Sequence, residues 1–112
     1  MRFLAIYHPE SGEEGATPDR QHMAAMSSFT ERERRAGHLL ATEALAPRVK
    51  GARVKLGDGG FTVQRETERA GGYAILNADS LEDAIEQAKA FLEVAGPGVS
   101  EVRQILEIRP PN

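Results

Sequence analysis

The chain contains no cysteine and no tryptophan. The first absence excludes disulfides, thiolate nucleophiles and thiolate metal sites. No apolar run approaches the ~20 residues that a membrane-spanning helix needs. The opening Met1-Arg2-Phe3-Leu4-Ala5-Ile6-Tyr7-His8 is too short for the apolar region of a secretory leader. A cytoplasmic protein with no membrane contact is the expectation. Positive charge is not in excess either: 17 acidic against 14 basic side chains give a formal charge of -3, which argues against a binder of nucleic-acid backbones. Arg32, Arg34 and Arg35 alternate with Glu31 and Glu33, the pattern of a solvated helix face. The three histidines show no HxH, HxxxH or HExxH spacing, so no metal site is expected. Gly57-x-Gly59-Gly60 precedes no helix and has no following lysine, so no nucleotide cofactor is expected.

What is present fits one soluble domain over residues 1–112, with 40% hydrophobic and 28% charged residues. Residues 2–8 read as a strand with Phe3, Ala5 and Tyr7 on one face and Leu4, Ile6 and His8 on the other. Both faces are largely apolar, the mark of a central strand. A polar loop follows over 9–17, then a helix opened by Thr17-Pro18 and stopped at Gly37, with Met23, Met26 and Phe29 at helical spacing. The methionines read as core filler. Residues 38–45 form a second strand. Residues 49–56 alternate apolar with basic, as an edge strand does, and Asp58-Gly59 turns the chain into Phe61 to Gln64 to complete a hairpin.

Residues 72–77 are again apolar on both faces, a second central strand. Ser80 or Asp79 caps a helix whose stripe, Leu81, Ala84, Ile85, Ala88, Phe91, Leu92 and Ala95, is the strongest periodicity in the chain. After Gly96-Pro97-Gly98, residues 99–109 read as a strand with Val102, Gln104, Leu106 and Ile108 on one face, ended by Pro110-Pro111. The order is that of an α+β, ferredoxin-like β-α-β-β-α-β sandwich with an extra hairpin. Two helices cover only one sheet face, yet residues 3–7 and 73–76 are apolar on both. A second copy of the chain against the open face, in a homodimer, answers that need.

At this point the residues carry a resemblance. Arg2-Phe3-Leu4-Ala5-Ile6-Tyr7, Met23-x-x-Met26-x-x-Phe29-x-x-x-Glu33-x-x-x-Gly37, Leu39-x-x-x-Glu43-x-Leu45-x-Pro47, Gly71-Gly72-Tyr73 and Ser80-Leu81-Glu82-Asp83-Ala84-Ile85 together resemble the YCII-related family. The likeness is to its branch named for an Asp-Gly-Pro-Phe motif. Asp58-Gly59-Gly60-Phe61 is similar to the start of that motif with glycine for proline, and Glu66-Thr67 to its later Glu-Thr. The resemblance implies a dimeric α/β-barrel fold. It implies no settled activity: relatives include a dehydrochlorinase and many proteins encoded beside sigma factors. The wider family's histidine–acid pair has its histidine on the first helix. The corresponding count falls near Met26, one turn after His22, so that pair is not carried over.

His8, His22 and His38 are the side chains suited to proton transfer near neutrality. His8 ends a central strand, and with Glu43 it is the candidate acid–base pair. Tyr7, Arg65, Glu66 and Tyr73 are the candidate ligand contacts, Arg65 and Glu66 because they occupy the place of the family motif. The leading expectation is a small-molecule binder with a pocket between sheet and helix or at the dimer seam. The rival is a non-catalytic accessory protein that acts through a protein partner.

Overall fold

Alternation and capping decide where the elements begin and end. The computed structural model describes residues 1–10 and 19–108. Its elements are β1 (Arg2–Pro9), α1 (Arg20–Arg35), β2 (Leu39–Ala44), β3 (Arg53–Gly57), β4 (Gly60–Gln64), β5 (Gly72–Asn77), α2 (Leu81–Ala95) and β6 (Gly98–Gln104). A 3-10 turn spans Arg48–Lys50. Asp19 caps α1, its carboxylate accepting the His22 N–H at 2.7 Å. The Thr17-Pro18 start and the Pro110-Pro111 stop lie outside the described residues, as does most of the 9–17 loop. Ser80, not Asp79, caps α2 by accepting the Asp83 N–H at 3.1 Å.

The main sheet has the order β2-β5-β1-β6 with every neighbour antiparallel. The two strands that read as apolar on both faces, β1 and β5, are therefore its centre. Register sorts the faces: Phe3 pairs with Leu76 and Ala5 with Ala74 and Val102, and these residues join Leu39, Ala78 and Ala84 in the core. Phe3 is only 1% exposed, and Ala84 on α2 is fully buried against this same face. Both helices thus lie on the Phe3, Ala5 and Tyr7 side. Leu4, Ile6 and His8 project to the other side, paired with Ile75, Tyr73 and Val99.

The structure corrects three sequence expectations. The strand expected over 49–56 is shorter and lies outside the main sheet. These residues divide into the 3-10 turn and β3, and among the described residues β3 pairs only with β4, in a separate two-stranded sheet. The Asp58-Gly59 turn is as expected, with Gly60 at φ +102°, a conformation glycine alone adopts without strain. The last strand stops at Gln104, because its partner β1 begins at Arg2, and Gln104 already pairs with Phe3. Leu106 and Ile108 lie beyond the ladder, each 77% exposed. Arg2 still holds this tail through a two-pronged contact to Glu107, at 2.8 and 3.2 Å, which keeps that carboxyl below the usual carboxylate range. Finally, Met23 is 53% exposed and fills no core.

Candidate functional site

Between the inner sheet face and the two helices the packing leaves a cavity of about 330 Å³. That is the lower end of the range for small-ligand pockets. Small residues create it. Ala5 and Ala74 form part of its sheet side and Ala88 part of its α2 side, where larger side chains would close the gap. Met26 and Phe29 of α1, with Phe91 of α2, give the remaining apolar wall. The ring of Phe91 meets Tyr7 edge to face at 5.2 Å between centroids and Phe29 at 6.3 Å.

One end of the cavity is polar. His22, Met26, Phe29, Thr30 and Glu33 border the cavity at the spacing of one helical face, so α1 brings a histidine from its first turn and, at the polar end, a carboxylate from its last. Glu33 lies 2.7 Å from His38 Nδ1. The Asn77 N–H donates to the His38 carbonyl at 2.8 Å, and Gln87 Nε2 donates to the Asn77 carbonyl at 3.1 Å. Hydrogen bonds through the His38 and Asn77 main chain thus link the positions of Glu33 and Gln87. At the other end the Tyr7 hydroxyl points to the Gly96 and Pro97 carbonyls, at 3.3 and 3.4 Å.

Burial pushes the Tyr7 phenol up from its ordinary value. A group whose folded pKa is raised supports the fold fully below its unfolded pKa, about 10 for tyrosine, and loses that support as pH rises through the folded value. Urea midpoints are therefore expected to fall between pH 8 and pH 10.5 by more in the natural protein than in Tyr7→Phe, which keeps the Phe91 contact but cannot ionise. Equal falls would show that the phenol is not protected.

The six residues singled out from sequence do not converge. Tyr7, Glu43 and Tyr73 border the cavity. Register sets Glu43 and Tyr73 in the row of Ile6, so their side chains belong to the opposite face and their main chain borders the cavity. His8 also belongs to that opposite face. Its Nδ1 is 2.9 Å from the Arg69 carbonyl and its Nε2 is 3.0 Å from Glu101. The imidazole is therefore joined to Glu101 on β6 and not to Glu43, which is exposed two strands away on β2. Glu66 clamps the base of the hairpin, 3.1 Å from Arg48, beside the Thr67 N–H that donates to the Arg48 carbonyl. Arg65 is exposed on the crossing that follows β4. Among the described residues, no three side chains of ligating type converge as a metal site would need, and no helix is long and apolar enough to cross a membrane.

Sequence reasoning missed His22, Glu33 and Gln87 as cavity residues. A signal existed: Gln87 lies three residues after Ala84 and four before Phe91, a polar side chain set in the apolar stripe of α2.

The fold and cavity define an α+β protein with antiparallel pairing throughout and a pocket between sheet and helices. The family model of the YCII-related domain matches residues 1–109, and the chain belongs to that family. Comparison with curated proteins returns no match.

Proposed function

We propose that this protein binds a small, largely apolar molecule in the cavity beneath α1 and α2. The supporting observation is the cavity itself, roomy enough for a small ligand in a core that is otherwise closed by Phe3 and Ala84. The methionines provide a test. Met26 borders the cavity, whereas Met23 is exposed on the same helix. Indole added to protein carrying ¹³C-labelled methionine methyls should move the Met26 resonance and leave Met1 and Met23 in place. Saturable movement of Met26 alone supports the reading; an unmoved Met26 up to millimolar indole overturns it.

The assembly proposed with this function is a homodimer of the ferredoxin-like, dimeric α/β-barrel kind. Two surfaces favour a second copy as the occupant. The sheet face opposite the helices carries Leu4, Ile6, Tyr73 and Ile75 in register. The hairpin sets Val54 opposite Val63 and Leu56 opposite Phe61, and all four are exposed, Phe61 by 73%. An isolated two-stranded hairpin is marginal in water. An interface with a two-fold axis would use each surface twice. The radius of gyration, 16.3 Å against about 13 Å for a compact chain of this length, fits an outlying hairpin.

A further inference from the structure

The polar end of the cavity is made of acceptors. Gln87 Nε2 is committed to the Asn77 carbonyl, which fixes the amide orientation and leaves Oε1 as the other atom. That oxygen is buried and has no hydrogen-bond partner among the described residues. A buried acceptor left unmade costs about 1–3 kcal/mol, so the site favours whatever brings a donor to it. Glu33 belongs to the same connected end through His38 and Asn77. Its carboxylate carries acceptor capacity beyond the one contact to His38. No lysine or arginine lines the cavity among the described residues. Of the lining side chains only His22 and His38 can become cationic, and His38 is already turned to Glu33. A carboxylate or phosphate ligand would meet the Glu33 carboxylate with no fixed cation to offset it.

Resting on the cavity reading above, we propose that the ligand is a small apolar molecule ending in an N–H donor, an amine above all. The donor end sits at Gln87 and Glu33 and the apolar body lies among Met26, Phe29 and Phe91. Selection against acids is part of the same design, since an acid both leaves Gln87 Oε1 unpaired and faces Glu33.

Three probes of one shape separate the outcomes: 2-phenylethylamine, propylbenzene and 3-phenylpropanoate, each titrated against the full chain with the Met26 methyl as reporter. The amine should bind about tenfold or more tightly than the acid, the difference one charge-assisted hydrogen bond provides. Gln87→Leu should reduce the preference to within about threefold while leaving propylbenzene unchanged. Glu33→Gln, which keeps the side-chain size, should reduce it as well and covers the case in which Gln87→Leu does not fold. If propylbenzene moves Met26 but the acid binds as tightly as the amine, the ligand class is wrong and the cavity reading stands. If no probe moves Met26, both fall.

Discussion

Phe3→Ala is expected to destabilise the protein by about 3–5 kcal/mol, the cost of removing a fully buried aromatic side chain and leaving a cavity. Phe3 is the largest side chain that is completely enclosed among the described residues, at 1% exposure. It sits on β1 between β5 and β6, paired with Leu76 on one side and Gln104 on the other. Domains of this size are stable by about 5–15 kcal/mol, so the loss is a large fraction of the total. The thermal midpoint should fall by about 15 °C or more. Urea unfolding at one fixed protein concentration checks it, with the midpoint moving and the slope unchanged. Met23→Ala serves as the comparison. Met23 has the same apolar character but is more than half exposed, so its loss should stay within about 0.5 kcal/mol. A small change for Phe3→Ala would mean that the core is not organised around β1.

Both residues look alike in the sequence, and the difference between them marks what local patterning can carry. Strands β1 and β5 were legible because alternation on two apolar faces requires cover on both sides, a demand that holds whatever the neighbours are. Helix α2 was legible because its stripe repeats over four turns and Ser80 supplies a cap. On α1 the signal divided. Met23, Met26 and Phe29 satisfy one helical face, and His22, Met26, Phe29, Thr30 and Glu33 satisfy another rotated slightly from it. Hydrophobicity selects the first, but packing against the sheet uses the second, since the cavity accepts polar residues that a closed core would reject. The rotation could not be read without the partner elements.

The candidate site was less legible for a related reason. Which acid faces His8 depends on cross-strand register, and β6 brings Glu101 there from 93 residues further along the chain. No local spacing encodes that meeting. The end of β6 has the same origin: alternation continues through Leu106 and Ile108, yet pairing ends where β1 has no more backbone to offer. Arg65 and Glu66 drew notice through their place in a family motif. Here Glu66 forms an ion pair with Arg48 at the base of the hairpin, which ties together two connections that flank β3 and β4.

The proposed assembly leads to the other large expected effect. Ile6→Glu should convert a dimeric species to a monomer at micromolar concentration, read as a halved mass by light scattering. Ile6 lies on the face away from both helices, between Tyr73 of β5 and Glu101 of β6. In one chain alone a glutamate there is near water and costs the fold little, so far-ultraviolet dichroism should be unchanged. At a two-fold interface it is buried twice, each time near a resident carboxylate, and a buried unpaired charge costs several kcal/mol. Leu56→Glu separates the hairpin's share, because Leu56 and Phe61 are exposed on an element whose strands pair only with each other. If the hairpin clasps the second copy, this variant also dissociates; if the sheets alone meet, it stays dimeric while Ile6→Glu does not. A natural protein that already runs at monomer mass would end the proposal, and the apolar rows of the open face and the hairpin would then need a different occupant.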